Sequence, residues 1–473
     1  MLRGLLTALA ALALAPAAAA GGPLLTLGAA EDVVRSPSAD TAQANMNLLR
    51  LVGFKAVRIT TNWLPGRTEP TEEEQTVLNN VAVAGARAGV DVYISIYHPG
   101  SRTTPLTPEA RAEFTAYAAA VARRNPYFRK VIVGNEPNLN RFWLPQFAED
   151  GSGASAPAYL QLLAETYDAL KAVSPDVVVY GGALAPRGID RPGTGRDTIS
   201  PTRFIRELGA AYRASGRLQP VMDAFAIHPY ADNSSQPPDV PHPVSTTIGV
   251  ADYGKLVALL GEAFDGTAQL GSTLPILYDE FGVEAVVPPE KASLYTGTEP
   301  ATTRPVDEAT QAAYYRRALE LTFCQPNVTG ILFFHTHDEP GLPAWQSGVY
   351  YVDGTPKTSL PAVRAALAAT RGGSVARCPG LRLKLKSTIE FDPRRLSVRF
   401  RCHLDCAYRL RLVKLPARST TAAKSGVVAM QTHATVSLAR RLRPGRYVLR
   451  LALAQAVNPG GPVIRESAPI VVR

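Results

Sequence analysis

Residues 55 to 97 decide the fold: Lys55-Ala56-Val57-Arg58-Ile59-Thr60, then Thr71-Glu72-Glu73-Glu74 opening an amphipathic run that stops at Gly89, then Asp91-Val92-Tyr93-Ile94-Ser95-Ile96-Tyr97. The two outer segments are short, β-rich and apolar. Threonine followed three residues later by glutamate has the spacing of a capping box, in which each side chain satisfies an orphan amide of the first helical turn. A strand, a helix and a strand in this order form a β-α-β unit, and the right-handed crossover makes its strands parallel.

Working outward, the same alternation runs from about residue 23 to 372. Strands are predicted at Leu24–Leu27, Lys55–Thr60, Asp91–Tyr97, Val131–Gly134, Val177–Gly181, Ala224–His228, Pro275–Tyr278 and Gly330–Phe334. Thr107-Pro108-Glu109 opens a helix with proline in the first turn, where it is tolerated. Asp307 to Phe323 and Ser359 to Ala369 supply the last two helices. Eight units over this length fit a closed (β/α)8 barrel, the TIM barrel. An open doubly wound sheet often carries a glycine-rich phosphate fingerprint after its first strand, and none is present.

The residues before and after this region read differently. Arg3, the apolar run Leu5 to Leu14, and Ala18-Ala19-Ala20 have the form of a signal peptide over residues 1–20, so the barrel is expected over 21–372. The apolar run is short for a membrane span, and no later segment reaches that length. Residues 373–380 read as a linker. From 381 to 473 the periodicity becomes two, clearest in Leu381-Arg382-Leu383-Lys384-Leu385-Lys386 and continued by Leu396–Phe400, Tyr408–Val413, Tyr447–Leu453 and Ile470–Val472. This predicts a small β-sandwich.

The chain has 473 residues and a formal charge of +10. The excess gathers in the last hundred residues, rich in arginine and lysine. An acidic partner and simple solvation of an exposed sheet face both account for it, and the second is preferred, with no nucleic acid as partner. Four cysteines in an exported chain are consistent with two disulfides. Cys402 with Cys406, and Cys324 with Cys378, is the preferred one of three connectivities.

In a barrel of this kind, catalytic groups stand at the C-terminal ends of the strands. Those positions hold Arg58, His98, Asn135, Glu136, His228, Tyr230 and Glu280, followed after the last strand by His335, His337 and Trp345. Glu136 lies in Val133-Gly134-Asn135-Glu136-Pro137-Asn138 after strand 4. Glu280 lies in Ile276-Leu277-Tyr278-Asp279-Glu280-Phe281-Gly282 at the end of strand 7. Strands 4 and 7 face each other across a closed barrel. Two carboxyls across a cleft suit glycosidic cleavage, one protonating the leaving oxygen and the other attacking the anomeric carbon or activating water. Asp279 is expected on the other side of its strand, and Glu284 in the loop beyond Gly282.

These motifs together resemble clan A of the glycoside hydrolases. They are Asn-Glu-Pro after strand 4, His-Pro-Tyr after strand 6 and Glu-Phe-Gly after strand 7, and Asn-Glu-Pro-Asn is similar to families 39 and 5. The resemblance covers the barrel and not the C-terminal domain. It implies a retaining O-glycosyl hydrolase with Glu136 as acid/base and Glu280 as nucleophile. It further implies that Asn135 bonds the sugar 2-hydroxyl, Tyr230 contacts the nucleophile and Arg58 keeps it ionised. His98, His228 and Trp345 match less closely, and strand 8 reads Phe333-Phe334-His335 where the clan often has tryptophan. The clan roles call for a raised pKa at Glu136 and an ionised Glu280.

Other readings compete. His335-Thr336-His337-Asp338 could share one metal ion, but the ligand set should then recur on other strands; residues lining substrate subsites are preferred, with no metal or cofactor. Trp63, Trp143 and Trp345 fall in loops after strands, where sugar stacking and ordinary packing have equal weight. The expected protein is a secreted monomer acting on an oligo- or polysaccharide with β linkages. A non-catalytic glycan-binding barrel and a transglycosylase are the alternatives.

Overall fold

The computed structural model describes residues 21–373, 387–402, 406–428, 433–439, 442–455 and 463–472. They form two compact units, the first ending in the eighth helix and the second from residue 387 onward. The proposed signal segment, residues 374–380 of the linker, the strand expected at Leu381–Lys386 and the Cys324–Cys378 pairing all lie outside the described residues, the last because Cys378 does.

The first unit is a closed barrel of eight parallel strands in sequence order. The strands are β1 (Thr26–Ala30), β2 (Ala56–Asn62), β3 (Asp91–Tyr97), β4 (Lys130–Val133), β5 (Val178–Leu184), β6 (Ala224–Ile227), β7 (Ile276–Phe281) and β8 (Val328–Phe334). The helices that follow them are α1 (Ala39–Val52), α2 (Glu72–Ala88), α3 (Pro108–Arg124), α4 (Ser155–Val173), α5 (Pro201–Ala214), α6 (Tyr253–Phe264), α7 (Glu308–Phe323) and α8 (Leu360–Arg371). β8 closes on β1, with Leu332 beside Gly28. A side chain at Gly28 would meet the Ala56 carbonyl at 2.4 Å, so only glycine fits this seam.

Local signals place the helices. The Thr71 side chain accepts from the Glu74 amide, Thr107 from Ala110 and Asp307 from Thr310. Helix α2 stops at Gly89, which adopts φ 64°, a left-handed conformation that glycine takes without a Cβ penalty.

Period-two alternation splits the strand residues into two cores. Val57, Ile94, Val131, Val179, Phe225, Ile276 and Ile331 face the helices. Ala56, Tyr93, Ile132, Tyr180, Ala224, Leu277 and Leu332 fill the barrel interior. The interior is therefore packed towards the N-terminal ends of the strands, and a site can open only at the other end.

The second unit is all β: β9 (Ser387–Asp392), β10 (Ser397–Cys402), β11 (Cys406–Leu415), β12 (Ser419–Val428), β13 (His433–Ser437), β14 (Gly445–Gln455), β15 (Val463–Glu466) and β16 (Ile470–Val472). One sheet runs β13-β10-β9; the other runs β12-β11-β14-β15, with β16 also on β14. Val398 and Phe400 of the first sheet and Leu410, Leu449 and Leu451 of the second share one core, as in a sandwich. The alternating arginines follow: Arg399 and Arg401 are exposed while Val398, Phe400 and Cys402 are buried. The Cys402–Cys406 disulfide is present. It joins β10 to β11, which lie in different sheets, so it links the two sheets rather than two paired strands.

Candidate active site

Several functional side chains at the barrel mouth extend an interior strand position by one alternation. Ala56 is in the interior, and Arg58 follows two residues later; Tyr93 leads to Ser95, and Ala226 to His228. At β4 the chain instead turns sharply. Gly134 has φ 86°, and Glu136 has φ 42°, a left-handed conformation uncommon for a residue with a side chain. The Glu136 amide donates to the Ala183 carbonyl at 2.8 Å, which holds this turn against β5. Strained backbone of this kind collects at functional sites.

Arg58 organises the centre. It is 4% exposed. Its Nη1 donates to Glu280 Oε1, and its Nη2 donates to Asn135 Oδ1 at 2.9 Å. Burial lowers the guanidinium pKa, but the Glu280 and Asp279 carboxylates outweigh it, so the net shift is upward and the group stays charged. Tyr230 donates its hydroxyl to Glu280 Oε2 at 3.0 Å. Glu280 thus has a donor on each oxygen.

His228 is fully buried between the acids. Its Nδ1 lies 2.9 Å from Glu136 Oε1 and 3.4 Å from Glu280 Oε2, and its Nε2 lies 3.3 Å from Asp279 Oδ2. Burial lowers the imidazole pKa, but Glu280, Asp279 and the hydrogen bonds to Asp279 and Glu136 outweigh it and raise it to about 10. Near neutral pH both ring nitrogens therefore carry protons and donate.

One oxygen of Glu136 and one of Glu280 lie within 4.8 Å of each other and of a His228 ring nitrogen. These three residues are close enough to share a metal ion. All three already have other partners, with Arg58 on Glu280, the His228 Nδ1 on Glu136 and the second His228 nitrogen on Asp279.

Asp279 departs from expectation. It is fully buried and faces His228, with Oδ2 also 3.6 Å from Arg58 Nη1. The physical reason lies in β7. Leu277 points into the barrel, so Asp279, two residues on, points inward as well. The pairing of β7 with β8 then slips between Tyr278 and Phe281, and this irregularity turns Glu280 towards the mouth too. Strict alternation allows only one of two neighbours on that side; the bulge admits both.

The other sequence-predicted residues spread around the rim. His98 is buried, its Nδ1 2.9 Å from the Gly100 carbonyl and its ring edge-on to Trp143. His335, at the end of β8 with φ 67°, points Nδ1 towards Glu31 at 3.8 Å. Trp345 lies against Tyr230 with ring centroids 4.8 Å apart, and against Phe334 at 5.3 Å. Trp63 and Trp143 are core residues, 0% and 1% exposed, packed on Phe114 and Tyr159 respectively. His337 stacks on Tyr350.

Two further acids stand at the mouth, of which Glu31 carries no motif in the sequence. Glu31, directly after β1, accepts from the Thr336 amide at 2.7 Å and its hydroxyl at 2.6 Å. Burial raises its pKa, but the His335 and Thr336 interactions outweigh it and bring it to about 2. Its signal was its place at a strand end. Glu284 stands in the loop beyond Gly282, as expected, and there lines a cavity of about 230 Å³ with Tyr230, Trp345, Ser234 and Arg187. Burial, then the nearby Glu299 charge, raises its pKa to about 7.

No family model matches the chain, and no curated protein does. Among solved structures, a GH5_18 protein of Streptomyces cattleya, in complex with GlcNAc, aligns at 16% identity over 74% of this chain and 81% of its own, with a TM-score of 0.50. A GH39 β-xylosidase from Caulobacter crescentus aligns at 16% identity over 89% of this chain and 95% of its own, with a TM-score of 0.46. A calcium-binding mutant of Bacteroides uniformis β-glucuronidase 2 aligns at 13% identity over 95% of this chain, with a TM-score of 0.47, and the chain spans 45% of its length. At these identities the likeness concerns the fold, a TIM barrel.

Proposed function

We propose that this protein is a secreted, retaining glycoside hydrolase acting on a β-linked glycan, with Glu136 as acid/base and Glu280 as nucleophile. The observation that carries the reading is the pair of carboxyls from opposite strands, oxygens within 4.8 Å, one of them clamped by Arg58 and Tyr230. Oxygens that close favour direct attack, at about 5–5.5 Å between the groups, over the wider spacing of about 6.5–9.5 Å in an inverting mechanism.

The proposed chemistry follows from the contacts. Arg58 and Tyr230 hold Glu280 oriented towards the anomeric carbon. Glu136 gives its proton to the leaving oxygen as Glu280 forms the glycosyl ester. Water then attacks the same carbon, Glu136 takes its proton, and the electron pair of the ester bond returns to Glu280. Asn135 accepts from Arg58 through Oδ1, which fixes the amide so that its NH2 faces outward to a sugar hydroxyl. Trp345 and Tyr230 offer aromatic surface beside the cavity, while His98 and His335 shape the rim. The Cys402–Cys406 disulfide supports an oxidising compartment. Among the described residues no helix is long and apolar enough to cross a membrane.

The test is hydrolysis of aryl β-glycosides and β-glycan polymers by the protein and by Glu136→Gln and Glu280→Gln. Activity lost in both variants, with the anomeric configuration retained, is expected. Activity that survives Glu280→Gln overturns the assignment.

A further inference from the structure

Asp279 has no role in the two-carboxyl chemistry above, yet it occupies the most costly position in the site. It is fully buried next to Glu280, so two neighbouring acids of β7 crowd around the same two cations, Arg58 and His228. Burial raises its pKa, but the His228 charge and hydrogen bond, with Arg58, outweigh this and bring it below the usual range, so it is ionised. Its Oδ2 faces His228, and its Oδ1 is buried with no hydrogen-bond partner. An acid that served only to tie the barrel together would be expected to use both oxygens.

We propose that Asp279 is a positioning residue that keeps the His228 imidazole protonated, so that its Nδ1–H stays directed at Glu136 through both halves of the catalytic cycle. The inference rests on the glycosidase reading above. The groups facing His228 are Glu136 beyond β4, Asp279 and Glu280 of β7, and Tyr230 beyond β6, with Arg58 of β2 against both β7 acids. In the free enzyme Glu280 and Asp279 both favour the imidazolium. In the glycosyl ester Glu280 has lost its charge, and Asp279 is the acid that remains on Nε2. It holds the second proton on the ring while Glu136, accepting from Nδ1–H, removes a proton from water. Without Asp279, esterification of Glu280 withdraws most of the support for the imidazolium at the moment Glu136 must act as a base.

The discriminating variant is Asp279→Asn, which keeps the shape and removes the charge. The first readout is the His228 imidazole followed by NMR across pH, which needs no catalytic turnover. In the unaltered protein its midpoint is expected at about 10; in the variant it falls by about one unit or more. The second readout is the split between steps on an activated dinitrophenyl glycoside. Deglycosylation is expected to slow about 10²-fold, at the low end for a proton-transfer group, so a burst of dinitrophenol appears while the glycosylation rate changes less. An unmoved His228 midpoint, or equal loss in both steps, overturns the proposal. If Asp279→Asn fails to fold, Asp279→Glu restores the charge, and a His228 midpoint held near the original value supports the proposal, whereas a collapsed one overturns it. Should the unaltered protein cleave no glycoside, the function proposed above fails, while the His228 titration still decides whether Asp279 governs the imidazole.

Discussion

The lower and upper halves of the barrel interior use the same inward-pointing positions for opposite ends. Towards the N-terminal ends of the strands stand Ala56, Tyr93, Ile132, Ala224 and Leu277. Two residues further on, β2, β3 and β7 carry Arg58, Ser95 and Asp279; β6 leads from Ala224 through Ala226 to His228 just past its end, and Glu280 joins them through the β7 irregularity. The lower half gains stability by removing apolar area from water. The upper half buries charges, which costs free energy unless each is matched. Its layout makes sense as a site that sets proton positions and makes poor sense as a device for stability.

That contrast breaks if the halves can exchange effects. The largest expected effect is at the top: Glu280→Gln, which removes the nucleophile, lowers kcat/KM by about 10⁴-fold or more while the protein still unfolds cooperatively. Next, Leu277→Ala in the lower layer is expected to cost about 2–5 kcal/mol in chemical denaturation, with kcat of the folded protein within a few-fold of its original value. If Leu277→Ala instead abolished turnover without loss of stability, the division would be wrong.

Glu31 sharpens the comparison, since it is a rim acid that also stabilises. Its folded pKa of about 2 lies below the ordinary 4.5, so its contribution is complete above about pH 5 and is lost as pH falls towards 2. Glu31→Gln is expected to remove about 3 kcal/mol at pH 7 and to flatten the acid limb of stability between those values. An unchanged acid limb would remove Glu31 from this role. The smallest effect is expected at Trp345, whose ring meets Tyr230 at 4.8 Å. Trp345→Ala should raise KM about tenfold, as for the loss of one aromatic contact, and leave the unfolding midpoint nearly unmoved; equal loss in kcat would instead place it on Glu280 chemistry.

How much of this was legible beforehand follows from which rules are local. The helix starts at Thr71, Thr107 and Asp307 were readable because a cap is a contact three residues long. Strand ends were less so: β7 runs on to Phe281 and β5 to Leu184, since pairing with neighbouring strands sets where a strand stops. Arg58 and Tyr230 bond Glu280, and Asn135 bonds Arg58, contacts between motif residues far apart in the chain. Asp279 was misplaced because a bulge is a property of two strands, invisible in one. Glu31 has no local signal for a similar reason, and the loop position of Glu284 is legible while its partner is not, since Thr336 and Ser234 are distant in the chain. Trp63 and Trp143 look like Trp345 in sequence and are told apart only by burial.

The central claim is that Glu280 attacks the anomeric carbon. It is tested most directly by incubating the protein with dinitrophenyl 2-deoxy-2-fluoro-β-glycosides of several sugars and locating the label by peptide mass spectrometry. The account predicts one equivalent of sugar esterified to the peptide carrying Glu280, with activity returning as the ester turns over. A label on Glu136, Asp279 or Glu284, or an inverted product from a protein that is never labelled, would contradict it.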